Sequence, residues 1–161
     1  MIYTNPLINS IGKIAEHVLK GLEMYSQDAF DLVMRTGMQE SKFKHLEQLG
    51  DGPALGFFQV ELGMTGAEDA WYNYLVYREK LRLKFDLLHI PLGPWEAFTI
   101  MSNIALQVAL CRFKYRRDPA PIPSTIEGQA EIWKRVYNTH LGAGKPEEFV
   151  ASAEALEKLE A

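Results

Sequence analysis

Apolar residues recur at three- and four-residue steps along most of the chain, the spacing of a buried helical face rather than the alternation of a half-buried strand. Leu7, Ile8, Ile11, Ile14, Ala15, Val18, Leu19 and Leu22 mark the first stripe, and Asn5-Pro6 is its start signal. Proline suits the first helical turn, where its missing N–H is no loss. A second helix is expected from about Gln27 to Glu40, on the stripe Ala29, Val33, Thr36 and Gly37. Glu40 follows Val33 by about two turns, which sets both on the same inward face. Gly50, Asp51, Gly52, Pro53 and Gly56 then interrupt the pattern and predict turns, with at most a short hairpin between residues 42 and 58.

Further on, Thr65-Gly66-Ala67-Glu68 reads as a capping box that opens a helix carrying Trp71, Tyr74, Leu75, Arg78 and Leu81. Gly93-Pro94 predicts the start of one long helix with Phe98, Met101, Ile104, Ala105, Val108, Cys111 and Tyr115. The proline-rich run from Asp118 to Pro123 ends it, since proline offers no donor and clashes with the preceding turn. Ser124 with Glu127 predicts another capping box, and Ile126, Ala130, Trp133 and Tyr137 share one face of the helix behind it. Gly142 and Gly144 stop that helix. The short amphipathic stretch from Pro146 to Leu159 docks weakly or projects. The expectation is an all-α fold with at most a minor β hairpin, in a single domain over residues 1–161 whose residues 145–161 form a docking tail.

Composition narrows the function more than the fold. The chain has 161 residues, 47% of them hydrophobic and 24% charged, the profile of an ordinary globular domain. A net charge of −4 gives no general attraction to nucleic acid, which needs clustered Lys and Arg. The one clustered basic run, Arg112 to Arg117, lies at a helix C-terminus and reads as a solvated face matched to the helix dipole. A single cysteine, Cys111, cannot form an internal disulfide and reads as a small buried apolar residue. His17, His45, His89 and His140 show no metal-ligand spacing, so neither a metal nor another cofactor is expected. No apolar run is long enough to span a bilayer, and Met1 to Pro6 lacks the pattern of a signal peptide.

The candidate chemistry centres on Glu40. A glutamic acid at the end of a buried helical face is desolvated, which disfavours its charged form and suits it to proton transfer near neutral pH. Glu61 and Asp51 read as surface carboxylates, with Glu61 left open as a second carboxylate.

Four blocks in order extend this reading. They are Gln39-Glu40-Ser41-Lys42-Phe43, the run Gly52 to Val60 with Gly56-Phe57-Phe58-Gln59 inside it, Asn103-Ile104, and Tyr137-Asn138. Together they resemble the Glu-Ser-x-Phe, Gly-Leu-x-Gln and Tyr-Asn-Ala-Gly blocks of soluble lytic transglycosylases and goose-type lysozymes, across roughly residues 28 to 142. The wording of Gly52 to Glu61, Trp71 to Leu75, Tyr115 to Pro119 and Trp133 to Gly144 is closer still to transglycosylase-like virion proteins of tailed bacteriophages.

The resemblance implies a lysozyme-like helical domain that cuts peptidoglycan between N-acetylmuramic acid and N-acetylglucosamine. It implies Glu40 as the catalytic acid/base, with Ser41, Gln59 and Phe58 lining the cleft against the sugar. Tyr137 would orient the catalytic carboxyl and Asn138 would hold the neighbouring backbone. It further implies the glycan strand and other virion proteins as partners, and a place in the phage particle, acting in the bacterial wall or periplasm. The chain departs from the pattern at Thr139-His140, where the family has Ala-Gly, and at Glu61, which opens plain hydrolysis beside the anhydro-forming reaction. The rival class is a lysozyme-fold tail or baseplate piece without activity, since fold alone does not fix function.

Overall fold

The computed structural model describes residues 2–50, 52–61, 74–138 and 142–161. It is helical almost throughout, with one two-stranded hairpin among the described residues. Helix α1, Pro6–Gly21, starts where the sequence places it: the Asn5 side chain accepts from the N–H groups of Leu7 and Ile8 at 3.0 and 3.1 Å. Its Ile8, Ile11, Ala15, Val18 and Leu19 are buried. Helix α2, Gln27–Ser41, is capped by Ser26, whose hydroxyl takes the Ala29 N–H. It stops at Lys42, which turns left-handed with φ 54°.

The hairpin pairs β1, Ala54–Leu55, antiparallel with β2, Val60–Glu61. Helix α3, Glu79–Leu87, follows. The chain turns at Tyr77 before it, so Leu81 belongs to a helix separate from Tyr74 and Leu75, contrary to the single helix expected. The Thr65–Glu68 capping box and Trp71 lie outside the described residues.

The long helix expected after Pro94 is two helices, α4, Ala97–Ser102, and α5, Ile104–Arg116. Asn103 divides them with extended backbone (φ −124°, ψ 95°), and its side chain accepts from the Leu106 N–H at 2.8 Å. An asparagine that caps a new helix offers the backbone an alternative to continuing the old one. Helix α5 is buried nearly all round, through Leu106, Val108, Ala109, Leu110, Cys111, Phe113 and Tyr115, as befits a central helix.

Helix α6, Ile126–Ile132, is capped by Thr125 rather than by Ser124, since the Thr125 hydroxyl takes the Gly128 N–H. It runs directly into a π-helical turn, Trp133–Asn138. Helix α7, Pro146–Glu157, closes the fold. It is no weakly docked tail: Phe149, Ala153 and Leu156 are buried in the same apolar cluster as α1, α2 and α5, and the Phe149 ring lies 5.4 Å from that of Trp133.

Polar contacts lock α2 in place. Arg35 donates to Gln129 on α6 at 2.9 Å and to Glu157 on α7 at 2.8 Å. At the far end of α2, Lys42 donates to the Ser152 hydroxyl, which donates in turn to the Gln39 side chain. The last turn of α2, where Glu40 sits, is thereby tied to α7.

Candidate active site

Glu40 is the penultimate residue of α2 and is half-buried. Its backbone position follows from the stripe of buried Val33, Thr36 and Gly37 below it. Gly37 is needed at its place, because a Cβ there would meet the Phe43 ring at 2.4 Å. That close approach lets Phe43 fold back over the helix and carry the chain toward the hairpin. Phe57 and Phe58 both meet Phe43 edge-on, with ring centroids 6.0 and 6.1 Å away.

The carboxyl of Glu40 opens on a cleft of about 400 Å³. Gln59, Glu61, Lys114, Tyr137 and Asn138 share the wall with it, and His45, Gln48, Leu49, Ala54, Gly142 and Ala143 complete the lining. Four separate parts of the chain thus converge: the end of α2, the hairpin, α5 and the π-helical turn.

The Trp133 indole N–H donates to Glu40 Oε1 at 2.8 Å. The indole ring is almost wholly buried and is pressed on one side by Phe149. Gly144 lets the chain pass so close that a Cβ there would lie 2.6 Å from the ring. The donor is therefore fixed before any ligand arrives. It stands in the π-helical turn, a local geometry common at functional sites.

Burial pushes the Glu40 carboxyl above the usual glutamate range, and the nearby Glu61 carboxylate adds to this. The Trp133 hydrogen bond, Lys114 and Lys42 pull the other way without cancelling it. Lys114 is pulled below the ordinary lysine range by burial, against the attraction of Glu40 and Glu61. Its Nζ lies 4.0 Å from the centroid of the Tyr137 ring, a cation–π contact. The cleft thus holds a carboxyl biased toward its proton, beside a cation that stabilises the carboxylate left once that proton departs.

Of the residues expected to meet substrate, Gln59, Tyr137 and Asn138 reach the cleft with Glu40. Gln59 adopts a left-handed φ of 48° and donates from Nε2 to the Gly56 carbonyl at 2.9 Å. Gly56 itself has φ 74°, and a Cβ there would collide with Gln107. Gln107 is buried on α5 and anchors the turn by accepting from the Phe57 N–H at 2.9 Å. Asn138 accepts from Lys134, whose ammonium also reaches the Gly142 carbonyl. It holds neighbouring backbone through that lysine, and Gly142 passes too close to it for a side chain.

Ser41 and Phe58 are corrections. Ser41 is only 1% exposed; its hydroxyl donates to the Phe57 carbonyl at 2.7 Å and accepts from the Phe43 N–H at 3.0 Å. It fastens the loop to the helix end, and its hydroxyl is engaged by the backbone. Phe58 is fully buried and offers no ring to a sugar. Tyr137 differs in its role: its hydroxyl donates to the Phe58 carbonyl at 2.6 Å, and Trp133 supplies the hydrogen bond to Glu40. Tyr137 therefore holds the hairpin against the π-helical turn and lends its ring to Lys114. Thr139-His140, where the family pattern breaks, lies outside the described residues, as does Asp51.

Two functional candidates escape the sequence reading. Trp133 appears there only as a core-face residue, although a buried indole N–H needs an acceptor, which is the signal that it faces something polar. Lys114 is hidden in the basic run. That run is no uniform solvated face: Arg112 is buried, Lys114 is in the cleft, and Arg116 and Arg117 are exposed.

Among the described residues no group of three His, Cys, Asp or Glu side chains could hold a metal ion, and no helix is long and apolar enough to cross a membrane. Comparisons with family models, with curated proteins and with solved structures find no match to this chain.

Proposed function

We propose that the protein cleaves the glycan strands of bacterial peptidoglycan as a lytic transglycosylase of lysozyme-like type, with Glu40 as the acid and base. The observation that carries this reading is the environment of Glu40. A carboxyl held above its usual pKa in a walled cleft, with Trp133 on one oxygen, suits proton delivery to a glycosidic oxygen. The meeting of Glu40, Gln59, Tyr137 and Asn138 in one cleft adds support, since those positions carry the family resemblance.

The chemistry runs in two steps. Glu40 gives its proton to the leaving oxygen while the bond from that oxygen to C1 of the muramic sugar breaks. The charge that develops on the sugar is positive, so the newly formed carboxylate beneath it is favoured. Trp133 and Lys114 steady that carboxylate by hydrogen bond and by charge. The carboxylate then takes the proton of the sugar's own 6-hydroxyl as its oxygen bonds to C1, which closes a 1,6-anhydro ring. Atoms and charge balance without water, and Glu40 ends protonated again.

Glu61 favours a second reading, plain hydrolysis, because its carboxylate borders the same cleft and a second carboxylate is the group that activates water in a hydrolase. Glu61→Gln separates the two. A transglycosylase keeps the anhydro product and most of its rate, whereas a hydrolase loses nearly as much as it does with Glu40→Gln. The resemblance of these blocks to virion proteins of tailed phages supports a place in the virion, with the glycan strand and other particle proteins as partners. Immunoblotting of purified particles for this chain tests the location.

A further inference from the structure

The face of α5 turned away from Glu40 carries a second concave site. A pocket of about 310 Å³ lies between the C-terminal half of α5, Ser26 at the start of α2, and the proline-rich segment after Asp118. Arg112 and Arg116, one helical turn apart, both line it. Arg112 is only 9% exposed. Its Nε donates to the Met24 carbonyl at a long 3.4 Å, and neither arginine has a carboxylate partner among the described residues. Asp118 borders the pocket, but its carboxylate is engaged by Arg135 at 2.9 and 3.1 Å and by the Ala120 N–H at 2.8 Å. Among the described residues no fully buried side-chain nitrogen lacks a hydrogen bond, so the unbonded terminal nitrogens of Arg112 keep some access to solvent, and the side chain lines the pocket.

A desolvated guanidinium beside a second cation is costly unless an anion joins it. Burial, reinforced by Arg116, already draws Arg112 below the ordinary arginine range. We propose that this pocket is a phosphate-binding site, with Arg112 at its floor and Arg116 at its mouth. A phosphate dianion balances both cations and offers the acceptors their forked donors fit, whereas one carboxylate leaves a cation unpaired. The site is separate from the glycan cleft: the two share no lining residue, and Lys114, between the two arginines in sequence, lines the cleft instead.

The test is equilibrium binding to the full-length chain at constant ionic strength, by calorimetry and by thermal shift. Inorganic phosphate and glycerol phosphate are the probes, with acetate and chloride as controls. Saturable binding of phosphate is expected, weakened about tenfold or more in Arg116→Gln, which loses charge-assisted hydrogen bonds from an exposed position. Arg112→Gln is expected to abolish it. Arg116→Gln keeps the test valid if the buried variant fails to fold, and it should leave wall cleavage unchanged. Glycerol phosphate binding as tightly as the free ion points to a phosphate ester on a larger molecule, and preference for the free ion points to phosphate itself. Equal effects of phosphate, acetate and chloride, or undiminished binding by Arg116→Gln, overturn the site.

Discussion

Glu40 is biased toward its proton because the cleft withholds water from the carboxylate more than Trp133 and Lys114 stabilise it. Glu40→Gln should abolish wall cleavage, since general acid catalysis contributes about 10² to 10⁴-fold. The same variant should melt no lower than the wild type. Its amide oxygen can still accept from Trp133, and it removes a charge that burial disfavours. The folded pKa of Glu40 is raised, so its contribution to stability is fully present below the unfolded value and is lost as pH rises through the folded one. The stability advantage of Glu40→Gln should therefore be absent at low pH and appear as the pH climbs past the usual glutamate range, read by thermal melts.

Lys114→Met removes a cation that lowers the Glu40 pKa. A general acid must start protonated, so the alkaline limb of the pH–rate profile should move to higher pH. A limb that stays in place or moves down would separate Lys114 from the carboxyl. Ser41→Ala tests the opposite kind of residue. It strips the Phe57 carbonyl and the Phe43 N–H of their partner, which should cost about 1–3 kcal/mol of stability. The rate per folded molecule should be kept, as denaturant melts and kinetics on the same sample would show. A rate collapse without loss of stability would return Ser41 to the cleft.

Among the elements, α7 is the buttress of the helix that carries Glu40. Through Ser152 it holds Gln39 and Lys42 on either side of Glu40, and through Phe149 it backs the Trp133 ring. Phe149→Ala should cost about 3–5 kcal/mol, as for a large aromatic removed from a core, and deletion of residues 145–161 should prevent folding. A urea midpoint left almost unchanged by Phe149→Ala would mean that α7 merely rests on the surface.

The legibility of the elements follows from what each signal measures. Asn5-Pro6 and the Val33-to-Glu40 spacing are local, and the helix ends and the inward carboxyl appear where they predict. The break at Asn103 is hidden because Met101, Ile104 and Ala105 keep the helical period across it. A switch of one residue to extended backbone leaves no trace in the spacing of apolar residues. The burial of α7 is hidden for another reason: Phe149, Ala153 and Leu156 form a narrow stripe among charges, and only the hollow between α2 and Trp133 gives that stripe a place to go. Ser41 and Phe58 are buried, against the expectation, because a residue at a helix end or a turn faces the cleft or the core according to how a distant loop returns.

For the whole molecule, a net charge of −4 works against long-range capture of an anionic polymer, so the proposed glycan binding would have to rest on the cleft itself. The cleft draws on α2, the hairpin, α5 and the π-helical turn, and only their packing brings Glu40, Gln59 and Tyr137 together. The most direct test of the glycan-cleaving reading is the mass spectrum of muropeptides released from insoluble peptidoglycan by the purified wild-type protein and by Glu40→Gln. The wild type should release products with 1,6-anhydro ends, each one water lighter than its hydrolysed counterpart, and Glu40→Gln, shown to be folded by its melt, should release none. Release of muropeptides by Glu40→Gln at the wild-type rate, or no release by the wild-type protein, would contradict the assignment.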